Sequence, residues 1–345
     1  MTGSAPITSR ERVTKALRFE HPDRAPRDLW TLPGVPALYP EALAALLEDF
    51  PSDFASPDFA YGPSERARGI PSRAGSYVDE WGCGWEVAET GVIGEVKHAP
   101  LDDWAALASY RPPWEVLERA DLSRVNAGCA QTDKFVLAGA TLARPFERMQ
   151  FLRGSEKLFI DLAYGTKEML QLRDMIHDYH LRELEMWAKT DIDAMGFMDD
   201  WGAQGRLLIS PAMWRELFKP LYADYVEIIH SAGKAAFMHS DGHIAAIYAD
   251  LIEIGVDALN SQLFCMDIEA LAQYRGRITF WGEIDRQHLL PFGSTEEVKE
   301  GVRRVRRALD DGAGGVIAQC EWGLDVPEDN VRAVFEAWLE PLPLR

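Results

Sequence analysis

The chain has 345 residues, 47% hydrophobic and 26% charged, enough to bury one barrel core or two smaller cores in an ordinary soluble protein. Its 55 acidic residues outnumber 36 Lys and Arg, a net charge of −19, which excludes the basic footprint of a nucleic-acid-binding surface. Met1-Thr2-Gly3-Ser4 opens no basic-then-apolar leader, and no run approaches the ~18 apolar residues of a membrane span; a cytoplasmic protein that neither enters a membrane nor binds nucleic acid is expected.

In chain order, Ser9 can cap a first helix over 9–19, with Val13, Ala16 and Leu17 on one face. His21-Pro22-Asp23-Arg24 breaks it. A strand over 25–30, a helix over 41–48 and a short strand over 52–55 follow. Residues 77–98 differ in character: crude alternation with Gly-rich turns predicts an antiparallel hairpin inserted in a loop. Further strands are expected at 135–139, 192–197, 235–238, 258–260, 278–281 and 315–318. Helices are expected at 155–162, 166–190, 211–232, 244–254, 268–274 and 295–309. Eight strands with helices between them predict a (β/α)8 barrel. The alternative is a doubly wound open sheet, which the lack of Gly-x-Gly-x-x-Gly after the first strand disfavours. With no repeats and no long linkers, residues 1–345 are expected to form one domain. The four cysteines (Cys83, Cys129, Cys265, Cys320) form no Cys-x-x-Cys pair, which argues against a disulfide framework or a zinc knuckle.

Two clusters carry the chemistry. Asp199-Asp200-Trp201-Gly202-Ala203-Gln204 follows the apolar run at 194–198, and His239-Ser240-Asp241-Gly242-His243 follows the run at 234–238. Such runs are buried parallel strands, and polar residues at their carboxyl ends are where barrel enzymes place reactive groups. Asp199 and Asp200 would repel each other if both faced a pocket, so one is expected to turn to the wall; helix capping is the plain alternative. Glu283 and Asp285 follow the strand at 278–281 and serve either the pocket or their own loop. Trp81, Trp85, Trp201, Trp281 and Trp322 fall at strand ends or in the insertion. There they can wall an aromatic pocket or pack the core.

The set Asp199-Asp200-Trp201-Gly202, Ile209-Ser210-Pro211, Lys219-Pro220, His239-Ser240-Asp241-Gly242, Gly282-Glu283-Ile284-Asp285 and Pro327-Glu328-Asp329-Asn330-Val331 resembles the uroporphyrinogen decarboxylase superfamily over roughly residues 9–340. The resemblance implies a (β/α)8 barrel. The decarboxylases carry an Arg-Gln-Ala-Gly-Arg-Tyr segment that grips porphyrinogen carboxylates. Here Asp28-Leu29-Trp30-Thr31-Leu32-Pro33-Gly34 stands in its place, without the arginines that a polyanionic substrate needs. The other branch holds corrinoid-linked methyltransferases with a His-x-Cys pair and a later Cys on zinc. The matching positions are His239, Asp241 in place of Cys, and Cys320.

The resemblance therefore implies a methyltransferase. It would move a methyl group from a small methylated molecule, a methoxyaromatic included, to a corrinoid cofactor on a separate partner protein. Zn2+ would be held by His239, Asp241 and Cys320 and polarise the leaving heteroatom. Asp199, Asp200 and Glu321 are the catalytic candidates. Trp201, Gln204, Glu283 and Trp322 are the substrate-binding candidates. A plain buried thiol at Cys320 and a hydrogen-bonded turn at His239 and Asp241 are the structural alternatives. The functional alternative is a metal-free decarboxylase or lyase acting on a carboxylated substrate. A small-molecule substrate, a corrinoid protein and a second copy of the chain are the candidate partners.

Overall fold

The computed structural model describes residues 7–342. Parallel strands β1 (Arg27–Thr31) and β2 (Phe54–Ala55) come first. An antiparallel sheet follows, β3 (Gly75–Val78), β4 (Gly84–Val87) and β5 (Glu95–His98), in the order β3-β4-β5. Then come β6 (Phe135–Ala143), β7 (Ala194–Met198), β8 (Ala235–Ser240), β9 (Ala258–Ser261), β10 (Thr279–Phe280) and β11 (Ala318–Trp322). Six of these form a curled parallel sheet in the order β10-β9-β8-β7-β6-β2, and β1 pairs with β11. The two sheets touch at both edges. Asp53 N–H donates to Arg27 O at 2.9 Å, and Phe280 bridges Val316 in parallel.

Strand alternation divides two cores. Phe54, Phe135, Ala194, Phe237, Ala258, Trp281 and Ile317 meet inside the curl, with Trp30 packed against them. A larger core, with Trp187, Trp214, Tyr222 and Phe218, fills the layer between the sheet and its helices. Each such side chain, fully removed from water, contributes on the order of 2 kcal/mol.

The helices begin where local chemistry permits. Thr8 with Glu11 and Ser294 with Glu297 form capping boxes for Ser9–Leu17 and Thr295–Leu309. The single helix expected over 211–232 is two, Pro211–Leu217 and Lys219–Ser231. Pro220 lacks an N–H and fits only the first turn, so the chain restarts there. The last strand lies over Ala318–Trp322 rather than 315–318. Gly312, Gly314 and Gly315 adopt positive φ, which spends the preceding residues on a turn. Helices Trp114–Glu118, Val125–Gln131, Pro145–Arg153 and Glu328–Leu339 went unforeseen. Among the described residues no helix is long and apolar enough to cross a membrane.

Candidate functional site

Because the strands of the curl run parallel, their carboxyl ends share one rim, and the register sets Met198, His239 and Asn260 side by side. The loops after β7 and β8 then zip together. Asp199 N–H donates to His239 O at 3.2 Å and Gly202 N–H to Asp241 O at 3.0 Å. This approach needs glycine: a Cβ on Gly202 would lie 2.3 Å from the His243 nitrogen, and one on Gly242 would lie 2.2 Å from Gly202 O. Gly242 also takes φ of +75°.

The zipped loops present Asp200, His239 and Asp241, whose donor atoms lie within 4.8 Å of one another and could hold a metal ion. His239 Nε2 is 3.5 Å from Asp200 Oδ1 and 3.4 Å from Asp241 Oδ1. Its Nδ1 is 2.6 Å from Asn260 Oδ1. Burial alone would depress the His239 pKa, but Asp200, Asp241 and Glu283 raise it to about 9. Burial pushes Asp200 upward, yet His239, the Asp241 N–H and Arg286 hold it below the usual carboxylate range. Asp241 Oδ1 is buried without a hydrogen bond among the described residues. That oxygen lies 3.4 Å from His239 Nε2, beyond the ordinary range of a hydrogen bond, and a cation between it, His239 and Asp200 would satisfy it. The residues therefore fit a divalent metal, as a hard N/O donor set.

Arg286 and Glu283 complete the rim from the loop after β10. Arg286 Nη1 donates to Glu321 Oε1 at 2.8 Å, Nη2 donates to Asp241 Oδ2, and Nε is 3.4 Å from Glu283 Oε2. Glu283 is buried, and neither carboxylate oxygen has a hydrogen bond among the described residues; burial first, then Asp241 and Glu321, raise its pKa to about 8. Glu147 is raised by burial and by Asp200 to about 7. Gln204 lines a small cavity of about 50 Å³ with Glu283, Arg286, Gln262 and Cys265.

Other residues singled out in the sequence lie elsewhere. Asp199 turns into the wall, where its carboxylate accepts from Phe146 N–H, Glu147 N–H and Tyr222 OH at 2.9, 2.7 and 2.5 Å. It anchors the start of the helix Pro145–Arg153. Trp201 is fully buried, stacked on Phe146, with Nε1 bonded to Tyr222 OH. Trp322 is buried, with Nε1 donating to Val326 O. Cys320 pairs in register with Leu29 and is fully buried in the helix-side core, whereas its neighbour Glu321 reaches Arg286. A thiol one residue from an inward-facing side chain points outward. Cys320 therefore does not join His239 and Asp241, and the carboxylate of Asp200 takes its place in the cluster. Burial, and then Glu321 and Glu283, push the Cys320 thiol well up. Asp285 accepts from Gln287 and His288 N–H at 2.9 and 3.0 Å and so shapes its own loop.

Sequence reasoning passed over Arg286, Asn260 and Glu147. Asn260 had a signal, as a polar residue at an expected strand end; Arg286 follows the Gly282–Asp285 motif; Glu147 had none. Where porphyrinogen-binding arginines are absent, Asp28 and Trp30 face inward instead. Asp28 accepts from the indoles of Trp30 and Trp281 at 2.9 and 2.8 Å.

A larger cavity of about 610 Å³ opens between the antiparallel sheet and the long helix Lys167–Ala188. Tyr77, Trp81, Trp85, Phe151 and Tyr179 wall it, and Arg144 sits at its edge. Arg144 Nη1 lies 3.8 Å from Glu147 Oε2.

The uroporphyrinogen decarboxylase (URO-D) family model matches residues 77–340. The chain belongs to the URO-D family. A methyltransferase from Methanosarcina mazei superposes on this URO-D chain with a TM-score of 0.69 and 16% identity, over 96% of this chain and 98% of that one. An endo-β-1,4-xylanase from Gloeophyllum trabeum aligns with a TM-score of 0.45 and 11% identity over 94% and 99%. A 3-keto-D-glucoside 4-epimerase from E. coli aligns with a TM-score of 0.39 and 13% identity over 62% and 81%. No curated protein matches the sequence.

Proposed function

We propose that this URO-D chain is a methyltransferase that takes a methyl group from a small methylated molecule, a methoxyaromatic ether among them, to a corrinoid on a partner protein. The observation that carries the reading is Asp241 Oδ1, buried without a hydrogen bond among the described residues and facing His239 and Asp200, a three-ligand set that leaves a position open. The fold likeness to a methyltransferase and the presence of an aromatic-walled cavity support it. We further read the curled sheet as a closed eight-stranded barrel within one domain; the contacts at its two edges, Asp53 to Arg27 and Phe280 to Val316, favour closure.

Asp200, His239 and Asp241 would hold the zinc ion, which when bound withdraws charge from the leaving heteroatom. The chain's own residues do the rest. Asn260 keeps the imidazole turned so that Nε2 faces the carboxylates. The carbon–heteroatom bond breaks with its electron pair left on the heteroatom. A reduced corrinoid on the partner would supply the electron pair for the new bond to methyl. Glu283 or Glu147, each protonated over part of the neutral range, delivers the proton to the leaving heteroatom. Glu321 steadies Arg286, and Gln204 lines the adjoining cavity.

One observation favours a second reading. His239, held protonated between Asp200 and Asp241, could protonate the carbanion left by loss of CO2 from a small carboxylated substrate. The deciding experiment gives purified protein zinc, free cobalamin or a corrinoid protein, and a panel of methoxyaromatics, and follows corrinoid methylation. Methylation with full activity after chelation, or decarboxylation with no methylation at all, would sink the zinc methyltransferase reading.

A further inference from the structure

The loop after β10 is held by hydrogen bonds to its backbone. Asp285 caps it through Gln287 and His288, and Glu283 N–H is tied to Ser261 O at 3.2 Å. The loop carries one cation, Arg286, into the rim. Its three nitrogens meet three carboxylates: Asp241, Glu321 and Glu283. Asp200 lies across the cluster, so four acidic side chains gather around the permanent charge of Arg286, with His239 between Asp200 and Asp241. Asp241 is shared. Its Oδ2 is taken by Arg286, and its Oδ1 is left toward His239 and Asp200.

We propose that Arg286 is a resident counter-ion: it holds Asp241, Glu283 and Glu321 together in the metal-free protein and lowers the affinity with which Asp200, His239 and Asp241 bind a divalent cation. The inference rests on the metal site proposed above. Arg286 cannot shed its proton, so its charge opposes any ion a few ångströms away, and it limits Asp241 to one free oxygen. Without it, Asp241 and Glu321 would lose the guanidinium they share, a change that destabilises the empty fold and favours a divalent ion. The geometry makes Arg286 a positioning residue rather than a metal ligand.

The test measures zinc affinity by competition with a chelator for wild type, Arg286→Met and Arg286→Gln. Melting temperatures are recorded with EDTA and with zinc. Both variants are expected to bind zinc at least tenfold more tightly than wild type. Both should melt earlier in EDTA and regain the loss with zinc. Arg286→Gln keeps a donor for Asp241 and carries the test should Arg286→Met fail to fold. Unchanged or weaker zinc binding in the variants, with early melting whether or not zinc is present, would mean that Arg286 only braces the loop and overturns the inference. The wild type judges the site by itself. No zinc on wild type but tight zinc on the variants overturns the proposed holoenzyme and upholds the counter-ion. Zinc on wild type with no gain in the variants does the reverse, and no zinc on any form overturns both.

Discussion

His239 and Asn260 are held as a pair. The imidazole Nδ1 lies 2.6 Å from the Asn260 amide oxygen, and the amide nitrogen donates to Trp281 O at 2.5 Å. The second bond fixes which end of the amide faces the ring, so Nδ1 donates and Nε2 is left toward Asp200 and Asp241. Partners of this kind typically govern 10–100-fold in metal affinity. Asn260→Ala is therefore expected to weaken zinc binding about 10-fold or more, with Asn260→Asp closer to wild type. Equal zinc affinity in Asn260→Ala, measured by chelator competition, would remove Asn260 from the site.

Cys320 offers a sharp contrast with His239. Removing a thiol from a well-packed core costs about 1 kcal/mol, and nothing more is expected if the thiol is no ligand. Cys320→Ala should retain zinc, whereas His239→Ala should lose it. Loss of zinc from Cys320→Ala, read by elemental analysis, would return the thiol to the site.

Asp199 is a structural anchor in a catalytic-looking sequence. Asp199→Ala leaves Phe146 N–H, Glu147 N–H and Tyr222 OH without their acceptor, which should cost about 3 kcal/mol. Asp199→Asn keeps one oxygen and should cost less. Urea unfolding measures both. A Asp199→Ala protein of unchanged stability but no activity would assign Asp199 to the chemistry instead.

Two buried carboxylates should move stability with pH in opposite directions. Burial pushes Asp53 up, but Arg24, the Arg27 N–H and Ser9 hold it below the usual range. Its contribution is present above about pH 4, the unfolded value, and is lost as pH falls through the folded pKa. Asp28 is raised by burial to about 6 despite the indoles of Trp281 and Trp30. The folded state then keeps a proton that the unfolded chain has lost, so stability falls between about pH 4 and 6 and stays lower above, by up to about 3 kcal/mol. The penalty of Asp53→Asn should shrink as pH drops below 4, and Asp28→Asn should gain on wild type from pH 4 to pH 8. Parallel curves for wild type and Asp28→Asn in urea titrations would contradict the raised pKa.

No turnover of uroporphyrinogen is expected. The inward-facing residues of β1 are Asp28 and Trp30, and Arg27 lies instead over the ring of Phe50, 5.5 Å away. A polyanion finds an acid and an indole where it needs guanidinium groups. Decarboxylation of uroporphyrinogen by the purified protein, followed by its porphyrin products, would refute this.

The apolar runs before Asp199 and His239 made β7 and β8 readable from sequence, because a buried parallel strand has few other compositions. The same logic placed Asp200, His239 and Asp241 at one rim, since polar residues just beyond such strands have only one place to go. What lay beyond reach was the facing of individual side chains. Asp199 and Asp200 are neighbours of identical chemistry, and only the approach of the helix Pro145–Arg153, with its unpaired N–H groups, decides which turns to the wall. Cys320 and Glu321 differ by one residue, and the pleat of β11, set by its register with Leu29 and Trp30, sends one outward and the other to Arg286. Arg286 meets Asp241 across 45 residues of chain. A contact of that range leaves no periodicity in the sequence and forms only when the sheet curls.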